Sequence, residues 1–138
     1  MSLRIARAIE GRDDMELRKA TREGEWSAAG VIAHIRASDA IVANRAYVLL
    51  TRDNPTLLAF DERRWAEVAR YAQVDIHSSL ALYALRRAEL VNMLRHIKLD
   101  DWQRTGLHEE RGLVSLLDLL ISFVEHEEEH CTQLEAYA

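Results

Sequence analysis

Five glycines and a single proline in 138 residues leave few positions where the backbone turns sharply, and this scarcity constrains the fold more than any motif does. Ala, Leu, Glu and Arg fill the chain instead, and all are strong helix formers. An all-α chain of long helices is therefore expected. At 49% hydrophobic, residues 1–138 carry enough apolar material to close one core, so a single domain is expected as well.

Helical periodicity marks out three long segments. The first runs from about Ser27, a residue suited to an N-cap, to Thr51, with Val31, Ile35, Val42 and Leu49 on one face. It stops before Asp53, Asn54 and Pro55. The second runs from about Ile76 to Lys98 behind Asp75 as N-cap, with Ile76, Leu80, Tyr83, Leu90, Leu94 and Ile97 as its stripe. The third occupies about Gly112 to Tyr137, with Leu116, Leu120, Phe123, His130 and Leu134 on one side. Between them, a short helix is expected to start near Asp61, and Asp100 or Asp101 to cap one turn before a glycine-bounded loop. Ahead of Trp26, "LRIARAIEG" and "MELRKATRE" each suit a helix, but Gly11 and the charges after it break them apart. Three full-length helices and a stunted first one make a bundle with apolar surface left open, and a homodimer is the expected remedy.

Charge narrows the partners. The formal net charge is −5, with both signs interleaved along the chain, so no face builds the positive field that nucleic acid requires. "MSLRIARAIEGRDD" has no apolar run of signal-peptide length, and the longest apolar run, "LVSLLDLLISFV", is interrupted by Asp118. No membrane partner and a cytoplasmic location are expected. The lone Cys131 reads as a small packing residue.

Near the end, in "VEHEEEHCTQLEA", His126 and His130 stand four apart and so lie one above the other on a helix, close enough for both imidazoles to hold one ion. The alternative is a pair of solvated or hydrogen-bonded histidines. His130 shares the inward stripe and His126 lies at its border, where unligated rings would need other partners. "HEEEH" also satisfies H-E-x-x-H, the zinc-protease signature with Glu127 as general base, but Gln133 and Ala136 stand where a further ligand would follow. A third ligand from upstream is expected. His34 suits it best, because Gly30, Ala37 and Ser38 on its face leave room beside the ring. His77 and His96 read as surface residues, and His108 remains a second choice, with contact to substrate its alternative role. Arg45 lies on the His34 face and Arg87 in an apolar stripe; each suits an anionic substrate, with snorkelling to solvent the commoner fate. Trp26, Trp65 and Trp102 read as bundle-end packing.

Four stretches, "EWSAAGVIAHI", "FDERRWA", "DDWQRTGLHEERG" and "HEEEH", resemble in order and spacing the DinB-like (YfiT-related) superfamily of metalloenzymes, over about Glu25 to Ala138. The resemblance implies a four-helix bundle, here with a shortened first helix, holding a divalent ion, most often zinc or nickel. The ligands it implies are one histidine of the second helix and an H-x-x-x-H pair in the last, which correspond to His34, His126 and His130. Three imidazoles leave coordination positions open, as catalytic sites do. Hydrolysis by an activated water or transfer of an activated thiol would follow, and the resemblance favours thiol chemistry with a thiol cofactor and a small-molecule substrate. Glu127 is the candidate acid/base. The competing class is a non-catalytic helical-bundle interaction protein whose histidines are vestigial.

Overall fold

A computed structural model describes residues 1–137. It is a mostly helical bundle. Helix α1 (Ser2–Ile9) and the single turn α2 (Asp14–Leu17) stand where a long first helix was absent from the sequence pattern. The long members are α3 (Ala28–Thr51), α5 (Ile76–Leu94) and α6 (Leu116–Ala136), with the short α4 (Glu62–Val68) between α3 and α5. Three expected N-caps are formed: the side chains of Ser27, Asp61 and Asp75 accept from the backbone N–H of Gly30, Arg64 and Ser78 at 3.2, 3.0 and 2.6 Å.

The structure departs from the periodicity reading in two places. Helix α5 ends at Leu94 instead of Lys98, and Lys98 starts a 3-10 turn, Leu99–Gln103, in which the Asp101 carboxylate accepts from the Lys98 N–H. The glycine-bounded loop is a β-hairpin: β2 (Thr105–His108) pairs antiparallel with β3 (Gly112–Ser115), and β1 (Thr56–Leu57) joins β2 in parallel. Residues 112–115, expected to open the last helix, therefore belong to a strand. Gly112, at φ 73, lets the chain re-enter the ladder after the turn. Helix α6 then starts with a reciprocal cap, Ser115 Oγ accepting from Asp118 N–H while the Asp118 carboxylate accepts from Ser115.

Close packing fixes one glycine in this sheet. A Cβ on Gly106 would stand 2.8 Å from the Pro55 carbonyl oxygen and 2.9 Å from Leu49 Cδ2, so only hydrogen fits between β2 and the end of α3.

Two apolar clusters hold the bundle. One joins Ile5, Ala8 and Ile9 of α1 to Val31 and Ile35 of α3, Tyr83 of α5, and Cys131 and Leu134 of α6. The short α1 thus covers the end of the bundle that a full first helix would have covered. The other sits beneath the sheet and joins Leu49, Leu57, Leu90, Val114, Leu116 and Leu119. Cys131 is buried in the first cluster, as its packing role required, and burial raises its thiol pKa. No helix among the described residues is long and apolar enough to cross a membrane.

Candidate metal centre

The inward face of α6 keeps Leu116, Phe123 and Leu134 of the expected stripe, while Leu120 and His130 are only half-buried. Its buried positions are Leu116, Leu119, Phe123, Glu127, Cys131 and Leu134, so a glutamate, and not His130, lies on the core axis. A carboxylate at this depth needs partners. Arg87 Nη1 donates to Glu127 Oε2 at 2.8 Å and Nη2 donates to Oε1, while Tyr83 Oη donates to Oε1 at 2.8 Å. The same guanidinium donates to Asp39 Oδ1 of α3 through Nε at 2.9 Å and Nη2 at 2.7 Å. Arg87 therefore points inward, against the expectation that it snorkels to solvent, because two buried carboxylates demand it. Burial opposes its charge, but the hydrogen bonds and field of Glu127, with Asp39, outweigh that and raise its pKa. Burial raises the pKa of Asp39 against the opposing pull of Arg87, and Asp39 Oδ2 has no partner among the described residues.

With Glu127 on the axis, His126 and His130 fall on its flank, facing α3. His34, 2% exposed, meets them there. One ring nitrogen from each of His34, His126 and His130 lies within 4.8 Å of the others, and the Nε2 atoms of His34 and His126 are 2.9 Å apart. Nitrogens bound to one ion at about 2.0–2.1 Å stand roughly 3 Å apart for angles from square to tetrahedral, so the His34–His126 pair has the spacing of two ligands on a shared cation, with His130 beside them.

Protonation suits the same purpose. Burial first, then the fields of His130 and His126, pushes the His34 pKa down to about 3, and burial with His130 lowers that of His126. Neutral rings keep the lone pairs that a metal takes. Behind His130, Nδ1 donates to Gln133 Oε1 at 3.0 Å, which leaves Nε2 with its lone pair. Gln133 Nε2 in turn donates to Tyr137 Oη at 3.3 Å, and Tyr137 Oη donates to the Trp26 carbonyl at 2.7 Å.

Two neighbours escaped the sequence reading. The Trp26 ring packs on His34 with centroids 4.6 Å apart, so it is a wall of the site as well as end packing. Glu62, in the first turn of α4, brings Oε2 to 3.8 Å from His34 Nε2 while remaining 52% exposed. Its signal was the Asp61 cap, which sets the first turn of α4 over the histidines. His77 and His96 are exposed, as expected. His108 is buried on β2, outside the three-ring cluster, and its Nδ1 accepts from Glu110 N–H at 3.2 Å. Trp65 packs on Phe60.

Residues 4–134 match the family model of the DinB superfamily. The chain belongs to the DinB superfamily. A DinB relative from Oceanobacillus iheyensis, provisionally named a metal-dependent hydrolase, is 24% identical over 132 residues, 96% of this chain and 76% of its own length. A second from the same organism, with the same provisional name, is 32% identical over 95 residues, 69% of this chain and 55% of its own. Among solved structures, YfiT from Bacillus subtilis superposes with a TM-score of 0.91 at 23% identity, covering 99% of this chain and 78% of that one. It is described as a metal-dependent hydrolase with an unusual four-helix bundle topology, again provisionally. The mycothiol-dependent maleylpyruvate isomerase superposes with a TM-score of 0.75 at 20% identity, over 96% of this chain and 55% of that one. These likenesses carry the DinB bundle, in which α1 and α2 precede the long helix α3 here.

Proposed function

We propose that this DinB protein is a divalent-metal-dependent enzyme in which His34, His126 and His130 hold the ion, zinc or nickel, and open positions face the cleft. The observation that carries this reading is the convergence of three ring nitrogens from two helices within 4.8 Å of one another. The donor set supports it, since three imidazoles, with no fourth protein ligand grouped with them among the described residues, are a catalytic and not a structural arrangement. A cation held there supplies Lewis acidity, which makes a water or a thiol a nucleophile near neutral pH.

The remaining work falls to protein groups. Gln133 fixes the tautomer of His130 through its Nδ1 hydrogen bond. Arg87 ties α3 to α6 beside the rings, so His34 and His126 keep their spacing. Both oxygens of Glu127 already accept from Arg87 and Tyr83. We therefore move the proton-handling role from Glu127 to Glu62, whose Oε2 lies 3.8 Å from His34 Nε2 at the mouth of the cleft. The commitment of Glu127 also removes the general base that a metallopeptidase of the H-E-x-x-H type needs.

Hydrolysis and thiol-dependent S-transfer both use this apparatus. The relatives' names favour the first and the mycothiol dependence of the isomerase favours a thiol cofactor. A homodimer is part of the reading, since Leu117, Ile121 and Val124 leave an apolar strip exposed on α6. Protein prepared without a histidine tag should carry about one equivalent of divalent metal per chain, and His130→Ala should lose it. Undiminished metal in that variant would overturn the assignment. With metal restored, hydrolysis of esters and amides and conjugation of thiols to electrophiles, each compared before and after chelation, separate the two chemistries; equal turnover after chelation would reject both.

A further inference from the structure

The cleft that opens beside His34 and His126 has a volume of about 220 Å³, room for roughly seven waters at ~30 Å³ each, and so for a small metabolite. Its wall also contains Arg45 and Arg111. Arg45 is half-buried on α3, eleven residues beyond His34, which places the two Cα atoms roughly 16 Å apart along the axis. Side chains on a helix lean toward its N-terminus, so the long arginine reaches back toward the histidine. Arg111 sits in the turn of the β2–β3 hairpin.

Neither guanidinium has an acidic partner. Arg45 donates to the Leu58 carbonyl and lies 5.7 Å from the centroid of the Phe60 ring, and among the described residues no carboxylate comes within 4.0 Å of Arg45 or Arg111. Arg87, half-buried like Arg45, is by contrast paired with Asp39 and Glu127. A partly desolvated cation beside a second cation is an arrangement that folding alone does not reward. Burial, then the field of Arg111, lowers the Arg45 pKa, and burial, then Arg45 and Arg111, keeps the nearby His108 imidazole neutral. Glu109 and Glu110 beside Arg111 offset part of this field without pairing with either guanidinium; the two arginines lie at one end of the cleft, and the candidate metal ligands lie at the other.

We propose that the substrate of this site is a small carboxylate, whose anionic group docks between Arg45 and Arg111 while its reacting group reaches the histidines. Guanidiniums present paired N–H donors that match a planar carboxylate, and the Phe60 ring beneath Arg45 holds the fork in place. The proposal rests on the reading of this cleft as the catalytic site, and its test is arranged to stand apart from that reading.

The experiment is titration of the metal-free protein with succinate at low ionic strength, followed by amide chemical shifts. Saturable shifts at Ser38, Ile41 and Ser122 are expected. Affinity should fall at least tenfold in Arg111→Gln and in Arg45→Gln, and should weaken as salt is added. Because Arg45 also holds the Leu58 carbonyl, Arg111→Gln, at an exposed turn, is the variant whose fold is least in question. The uncharged succinamide should not bind. Absence of succinate binding, equal binding of succinamide, or full affinity in both variants would each overturn the proposal, and tighter binding of inorganic phosphate would overturn the carboxylate assignment. A parallel zinc titration against a chromophoric chelator reads the metal site alone. Arg111→Gln should keep the zinc affinity of the unaltered protein, and His130→Ala should lose zinc while retaining succinate.

Discussion

Asp39 of α3 and Glu127 of α6 face each other across the bundle and share one guanidinium, that of Arg87. They are 0% and 1% exposed, and the side chain between them is 19% exposed. Removing the cation leaves two buried carboxylates without a counter-charge, with only the Tyr83 hydroxyl still donating to Glu127. Arg87→Met should therefore destabilise the protein by about 3–5 kcal/mol, read from urea unfolding. The triple variant Asp39→Leu, Arg87→Met, Glu127→Leu should recover much of that loss, because the cost comes from the orphaned charges and not from the missing volume. A triple variant no more stable than Arg87→Met would reject this account.

Behind the histidines, Gln133 accepts from His130 Nδ1. Gln133→Leu keeps the volume and removes the acceptor, so zinc affinity should drop by about 10–100-fold with little change in thermal unfolding. Competition against a chelator measures the first and calorimetry the second. Unchanged zinc affinity would mean that the hydrogen bond does not orient the ring.

Acid should weaken the metal-free protein. The ordinary value for His34 is 6.5 and the folded value about 3. Between these the unfolded chain binds a proton that the folded chain refuses, so stability present above pH 6.5 is lost as pH falls toward 3. His126 shifts in the same direction. The effect at its limit is on the order of a few kcal/mol. His34→Gln should flatten the dependence of unfolding free energy on pH between 7 and 4.5, and equal slopes for the two proteins would contradict the burial of a neutral ring.

Gly106→Ala tests the junction between sheet and bundle. The added methyl meets the Pro55 carbonyl oxygen and Leu49 Cδ2 at 2.8 and 2.9 Å. A loss of about 1–3 kcal/mol is expected, with zinc affinity spared because the histidines lie in the other half of the bundle.

Much of this architecture was legible in the sequence. Ser27, Asp61 and Asp75 announced three helix starts through side chains that satisfy free N–H groups, and the spacing of Val31, Ile35, Val42 and Leu49 announced a buried helix face. His34, His126 and His130 were identified as a trio, and the structure brings them together. The hairpin was not legible: its strands are four residues long, each contains a glycine, and their pairing energy comes from partners that local pattern does not reveal. The burial of Glu127 was hidden for a similar reason. A glutamate in "EHEEEH" near the inward stripe reads equally as a solvated carboxylate or an acid/base until Arg87, forty residues earlier, is known to sit opposite it. Glu62 and Trp26 were missed because their roles depend on how α4 and the start of α3 are laid over the rings.

Arg4 of α1 grips Glu128 and Glu135 on the outer side of the helix that bears His126 and His130, across 124 and 131 residues of chain. His34 and His126 are themselves separated by 92 residues. Such contacts close only after the whole of α6 has been made, so a chain still lacking that helix cannot bring the three rings together. Under the proposed metal reading, an ion would be captured only by a chain that has already packed α6 against α3.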